Sequence, residues 1–370
     1  MKIGVMLRHL GQHGGGVLVY TQNILKHLLA LPTSHEFVLL YPGSEWLGTF
    51  KNGHNARVRE LALGNLPTIL WDQWATLQAE HREHFDLIFN PKYSVPLMAR
   101  SRTVFVCHGL DWYVMPWGSR LMDRVNHQFL IPRYARKANA IMANSETTRQ
   151  HLIEFLNVDE DRVHTVYFGI DEVFRKPVAL DKLEEVKRKY QLPEKFFLYC
   201  GQIYPPKNFS RLVQAYAQVG PELGIHLVTA GQHTWLCEDD VNLIAKLGIS
   251  QWVVQPGWVP HDSLPAIYHL AEGLLLPSLY EGFGFPLLEA MSCKCPVVTS
   301  NRYAMAEIAQ DAAVLVDPES VDSIAQGMSQ IVTDQALRGA LIEAGLRRSR
   351  GFTWEECAGK TMKVLEGVMG

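Results

Sequence analysis

The chain has 370 residues, 47% of them hydrophobic and 20% charged, and 35 Lys and Arg against 38 Asp and Glu leave a net charge of -3. That length suits two domains, and the composition excludes a disordered, collagen-like or coiled-coil protein and a generally basic nucleic-acid binder. No segment approaches 18 uninterrupted apolar residues and the start lacks the apolar core of a secretion signal, so the sequence reads as cytosolic.

In chain order, short apolar runs alternate with helical patterns. The first half carries runs at Ile3–Leu7, Phe37–Tyr41, Leu87–Phe89, Val104–Cys107, Ala140–Ala143 and Val163–Tyr167. The second carries Phe196–Cys200, His226–Thr229, Trp252–Val254, Leu274–Leu276, Val297–Thr299 and Val314–Val316. Segments between them, such as Val17–Leu29, Arg120–Arg136 and Phe209–Gln218, repeat apolar residues at three and four. Short buried strands separated by amphipathic helices predict an α/β fold, with two Rossmann-like doubly wound domains facing a cleft. The expected division is 1–175 and 176–353, with a helix over 354–370 packing back on the first domain.

Ligands on such sheets bind beyond the carboxyl ends of the strands, so the loops there are the informative places. After the first run stands Gly11-Gln12-His13-Gly14-Gly15-Gly16, ahead of a helix that could offer N–H groups to a phosphate. The spacing is not GxGxxG and no acid ends the second run, so an NAD site is not indicated; a flexible turn fits the glycines equally well. His108 follows the fourth run, where an imidazole could polarise a hydroxyl or simply be structural. Gly201-Gln202-Ile203-Tyr204-Pro205-Pro206-Lys207-Asn208 follows Phe196–Cys200 and places Lys207 beside a helix start, a position the dipole disfavours unless an anion sits between.

After Leu274–Leu276 comes Pro277-Ser278-Leu279-Tyr280-Glu281-Gly282-Phe283-Gly284-Phe285-Pro286-Leu287-Leu288-Glu289. Pro286 suits a first helical position, which puts Glu281 in the loop and Glu289 on the first turn of the helix. One carboxylate could accept sugar hydroxyls and the other ribose hydroxyls; a capping loop with an acidic first turn needs only one. The six cysteines show no zinc spacing and read as structural. Asp159-Glu160-Asp161 matches an Asp-x-Asp string but precedes a strand, the wrong end for a ligand, so no metal cofactor is expected.

Glu281 and Glu289 stand at E-x7-E spacing inside EGFGFPLLEAMSCKCPVV, which resembles the signature of retaining nucleotide-sugar glycosyltransferases of family four, with the GT-B fold. Gly14-Gly15-Gly16, His108-Gly109-Leu110-Asp111, Ala143-Asn144-Ser145-Glu146, Phe168-Gly169-Ile170-Asp171 and Asp311 to Pro318 match further landmarks of that family in order. The resemblance implies that Lys207 holds the donor diphosphate and Glu289 the ribose. Glu281 with the Gly282, Phe283 and Gly284 backbone would hold the transferred sugar, beside Gly201 and Leu287. Gly15 and Gly16 would close on the phosphates, and His108 would lie near sugar and acceptor. His108, Lys207 and Glu281 are thus the implied catalytic group. Many relatives carry Arg at Gln202 or Pro206, and neither position is basic here.

The same resemblance implies a metal-independent, retaining transfer of a hexose, mannose or glucose, from a GDP- or UDP-sugar. The acceptor would be a saccharide or lipid-linked saccharide in polysaccharide assembly. Aromatics at Trp112–Trp117 followed by Arg120, Arg124, Arg133, Arg136 and Lys137 could also make peripheral contact with an anionic membrane, or be a solvated helix under a packed loop. A nucleotide-sugar-binding protein without transferase activity, or a sugar-nucleotide epimerase of the same fold, remains the alternative.

Overall fold

The computed structural model describes residues 1–11, 15–50, 55–118, 121–232 and 237–370. Gln12, His13 and Gly14 of the first glycine stretch and Arg120 of the basic segment lie outside the described residues. Contacts divide the chain into two units: Met1–Pro116, Arg120–Gly169 and Thr353–Gly370 form the first, Trp117–Ser119 and Ile170–Phe352 the second.

The first unit holds β1 (Lys2–Met6), β2 (Glu36–Tyr41), β3 (Arg57–Ala62), β4 (Leu87–Asn90), β5 (Arg102–Cys107), β6 (Ala140–Ala143) and β7 (Val163–Thr165). They make one parallel sheet in the order β3-β2-β1-β4-β5-β6-β7. The second unit holds β8 (Phe196–Cys200), β9 (His226–Ala230), β10 (Val253–Gly257), β11 (Gly273–Leu276), β12 (Val297–Ser300) and β13 (Val314–Val316), parallel in the order β10-β9-β8-β11-β12-β13. All twelve apolar runs read from the sequence fall on strands, which confirms the α/β class. The run at Trp252 begins one residue late, because Trp252 closes a 3-10 turn ahead of β10. β3 was not expected: RVRELA carries three charges, Arg57, Arg59 and Glu60, lies at the sheet edge and among the described residues pairs only with β2. Charged edge strands of this kind resist pairing with other chains, so burial periodicity cannot find them.

The strands are apolar because helices cover both faces. Tyr199, Phe209, Leu212, Val213, Tyr216, Leu275, Val298 and Met328 interlock in the core of the second unit. Phe105, Ile131, Ile141 and Leu152 do so on one face of the first. All six cysteines are buried. Among the described residues no helix is long and apolar enough to cross a membrane.

In each sheet the winding reverses beside the first strand, between β1 and β4 and between β8 and β11. The place beyond the carboxyl ends of those neighbours, where the winding reverses, is where such sheets take a ligand.

The helix Trp354–Gly367 completes the first unit by packing on Gly16–Ala30. Tyr20, Phe168 and Trp354 form a buried aromatic cluster there, with Tyr20 and Phe168 ring centres 4.2 Å apart. Gly169 lies flat against the backbone of Trp354, and a Cβ at 169 would stand 2.6 Å from the Thr353 carbonyl carbon. Gly169→Ala therefore forces two main-chain segments apart and is expected to cost about 1–3 kcal/mol in urea unfolding. Gly359→Ala, inside the helix Trp354–Gly367 with open space around the new methyl, should instead gain about 0.5–1 kcal/mol. Equal effects for the two would show that the contact at 169 is slack.

Candidate active site

The second unit assembles its site from the loops after β8 and β11. Register pairs Leu274 with Leu198, so the two strands end level and their loops start side by side. Gly201 leaves β8 at φ +138°, with open space on its Cβ side. The loop is then pinned: Tyr199 Oη donates to the Gln202 carbonyl at 2.8 Å, and Ile203 N–H to Gln232 at 3.0 Å. A 3-10 turn, Pro205–Lys207, delivers the chain to Asn208, left-handed at φ 60°, which precedes the helix Phe209–Val219.

Two contacts clasp this loop to its neighbour. The Pro206 carbonyl accepts N–H bonds from Leu279 at 2.8 Å and Tyr280 at 3.4 Å. The Asn208 side-chain amide donates to the carbonyls of Pro277 at 2.9 Å and Pro318 at 2.6 Å. The clasp brings Lys207 Nζ onto Glu281 Oε1 in an ion pair, both side chains about nine-tenths buried. Ser278 Oγ donates to the same oxygen at 3.1 Å. The anion that Lys207 meets is thus Glu281.

Gly284 turns the loop into the helix Phe285–Ser292 at φ +97°, with Met305 packed where a side chain would go. Phe283 is buried and meets Phe285 and Phe352 edge-on, so this segment offers backbone rather than side chain. The helix begins at Phe285 and has Pro286 second, one residue earlier than expected. Glu289 is therefore its fifth residue, beyond the first turn, and this corrects its expected position. Glu289 is buried, and Tyr268 Oη donates to its Oε2 at 2.9 Å. Leu287 and Leu288 are fully buried beside it.

Burial pushes the Glu289 carboxyl up to about 7, opposed by the nearby His261 and the Tyr268 hydrogen bond. His261 Nε2 lies 3.4 Å from Asp171 Oδ2, and that carboxylate raises the imidazole above its ordinary value, with Glu289 adding to it. Sequence reasoning missed His261 entirely. Asp171 it recorded only as part of Phe168-Gly169-Ile170-Asp171.

In the first unit Gly15 precedes the helix Gly16–Ala30 at φ +96°, exposed like Gly16, and its carbonyl accepts from the N–H of Leu18 and Val19. His108 follows β5, ringed by Tyr20, Tyr93 and Phe168. Its Nε2 donates to the Pro91 carbonyl at 2.7 Å, which leaves Nδ1 as the acceptor, and desolvation lowers its pKa to about 4. It is a neutral imidazole at physiological pH. The structure thus brings together Gly201, Lys207, Glu281, Gly282, Phe283, Gly284, Leu287 and Glu289 in the second unit, and places Gly15, Gly16 and His108 in the first.

The basic helix Leu121–Lys137 spends much of its charge internally. Arg124 donates to Pro116, Lys137 to Ala99, and Arg133 stacks 3.5 Å over Phe129. Trp112 and Met115 are buried, while Trp117 is exposed. Asp159 and Glu160 pair at the surface with Arg162 and Arg149. Among the described residues no cluster of three or more His, Cys, Asp or Glu could hold a metal.

Two family profiles cover the chain: Glycosyltransferase Family 4 over residues 14–174 and Glycosyl transferases group 1 over 182–348. The O-antigen chain mannosyltransferase B of Escherichia coli is 32% identical over 299 residues, 77% of this chain and 75% of that protein. The serotype-specific mannosyltransferase WbdA of Escherichia coli is 31% identical over 268 residues, 70% of this chain but only 32% of the relative, so the match spans about a third of its length. Among solved structures, sucrose-phosphate synthase from Thermosynechococcus elongatus superposes with a TM-score of 0.80 at 18% identity, covering 100% of this chain and 99% of that one. Anabaena HepE in complex with UDP and glucose gives 0.77 at 18%, covering 99% and 100%.

The raised Glu289 pKa makes stability depend on pH. An unfolded Glu loses its proton near 4.5, whereas the folded one keeps it to about 7. Between those values the unfolded state binds fewer protons, so stability falls as pH rises, and the penalty is complete above about 7. Glu289→Gln keeps an oxygen for Tyr268 and has no charge to bury. At pH ~8 its unfolding free energy should exceed wild type by on the order of 3 kcal/mol, with the difference vanishing below the unfolded pKa. A variant weaker than wild type at the higher pH would mean the carboxylate is stabilised, not penalised, in the fold.

Proposed function

The chain belongs to glycosyltransferase family 4, and we propose that it moves a hexose, mannose in first place, from a GDP- or UDP-sugar to a saccharide or lipid-linked saccharide acceptor, with retention of configuration. It is a glycosyltransferase of GT-B type. Mannose is favoured because two curated relatives at 31–32% identity are named as mannosyltransferases, one of them of O-antigen chains, which also points to polysaccharide assembly.

The observation that carries the reading is the Lys207–Glu281 pair held by the clasped loops. A buried ion pair is stable while its charges balance. A donor diphosphate brings more negative charge to Lys207 than one carboxylate does, and so competes for Nζ. Glu281 is then released to accept hydroxyl hydrogens of the sugar. As the bond from the anomeric carbon to the diphosphate oxygen breaks, charge grows on that oxygen, where Lys207 and the N–H groups at the starts of Phe209–Val219 and Phe285–Ser292 stabilise it. The acceptor oxygen attacks on the same face and its proton passes to the departing phosphate. Glu281, which keeps the Ser278 hydroxyl and takes hydroxyl hydrogens of the sugar, is committed to binding and is not the covalent nucleophile in this reading.

In the first unit, neutral His108 presents Nδ1 as an acceptor suited to orient a hydroxyl. The ribose would bind at Glu289, and no metal is needed where Lys207 supplies the counter-charge.

Nucleoside-diphosphate release from a panel of GDP- and UDP-sugars tests this. Release should occur with one donor, persist in EDTA, and fall about 10²–10³-fold in Lys207→Ala. Loss of release on adding EDTA would remove the metal-free mechanism, and a trapped glycosyl adduct on the protein would remove same-face attack.

A further inference from the structure

The second unit brings Asp171, His261 and Tyr268 to Glu289 from two places. One is the turn Glu172–Phe174, which Asp171 caps: its Oδ1 accepts from Val173 N–H at 3.1 Å. The other is the segment after β10, where Ser263 N–H donates to the Pro260 carbonyl at 3.0 Å and the helix Leu264–Leu270 follows, with Pro265 second. His261 lies in that bend and Tyr268 on the helix. With Oδ1 given to the turn, Asp171 presents Oδ2 to His261 Nε2, 3.4 Å away. The buried Phe174 ring stands edge-on to both His261 and Tyr268, at 4.9 and 5.9 Å between ring centres, and so fixes the imidazole relative to the phenol.

Glu289 itself is tied by one oxygen. Oε2 takes the Tyr268 hydroxyl, while Oε1 accepts no hydrogen bond among the described residues. A carboxylate keeps the lone pairs of both oxygens for accepting, whereas a carboxylic acid must spend one oxygen on carrying its proton. Burial favours the acid. His261 opposes that most strongly, Tyr268 next, and Asp171 adds to it. The thiols of Cys200 and Cys293 also face Glu289 and are held neutral by their own burial. His261 in turn is drawn towards its charged form first by Asp171, and also by Glu289 and Asp262.

We propose that His261, oriented by Asp171, is a positioning residue for the donor nucleotide: its charge keeps Glu289 a carboxylate, held by Tyr268, whose Oε1 accepts the ribose hydroxyls. This rests on the reading of Glu289 as the ribose ligand. His261 acts through Glu289, since in a low-dielectric interior a cation bears on a carboxylate that it does not touch.

The full chain is titrated with UDP, GDP and their 2′,3′-dideoxy forms between pH ~6 and ~9. The ratio of dideoxy to ribose dissociation constants reports the hydroxyl contacts alone, because protonation of the diphosphate affects both ligands alike. In the wild type the ratio should exceed unity and rise with pH as Glu289 loses its proton. His261→Gln should lower it about three- to five-fold near pH ~7 and leave it unchanged by pH ~9, where Glu289 is ionised without help. His261→Lys, which keeps a cation beside Asp171, should restore it. A ratio indifferent to His261→Gln at every pH, or lowered equally by His261→Lys, overturns the role of His261 while leaving Glu289 at the ribose. A wild-type ratio of unity throughout overturns Glu289 as the ribose ligand and the proposal with it. No binding of either nucleotide overturns the nucleotide site of the second unit itself.

Discussion

A charge pair taken out of water survives only if its geometry is held by something other than itself, since each ion gives up several kcal/mol of hydration. For Lys207 and Glu281 the holding is done by carbonyls of prolines. Pro206 has no N–H to offer, yet its oxygen takes two N–H groups from the neighbouring loop, and Asn208 bridges the oxygens of Pro277 and Pro318. The loops after β8 and β11 therefore behave as one piece. That union is possible only because the strands beneath them are adjacent and end level, a consequence of where the winding of the sheet reverses.

The first unit obeys the same topological rule with different side chains. The loop after β11 brings an acid to meet the lysine of the loop after β8. The segments after β1 and β4 instead bring Arg8 and Lys92 together over one aspartate that a different helical turn supplies.

How much of this was legible in the sequence follows from the range of each interaction. Burial periodicity exposed every central strand, because strands covered on both faces are apolar throughout; β3 escaped because half its residues face water. Local motif spacing located Lys207, Glu281 and Glu289. It placed Glu289 too near the helix start, since the entry at Phe285 depends on Gly284 and the packing of Met305, a residue distant in sequence. Asp171, His261, Arg8, Lys92 and Asp72 act through tertiary proximity, and no spacing rule joins residues as far apart as 8, 72 and 92. A closer reading of Pro91-Lys92 as a strand-end loop would have found one of them.

The return of Thr353–Gly370 to the first unit has a consequence for the order in which the protein is made. The face of Gly16–Ala30 that bears Tyr20 packs on Phe168 and His108 and is completed by Trp354 and the helix that follows. A chain emerging from the ribosome leaves that face incomplete until the residues beyond 353 have been added. The second unit, contiguous from Ile170 to Phe352 apart from a short stretch near Trp117, has almost all its parts beforehand. The half that is synthesised first is the half that is finished last, and the nascent protein must shelter an open aromatic surface in the interval.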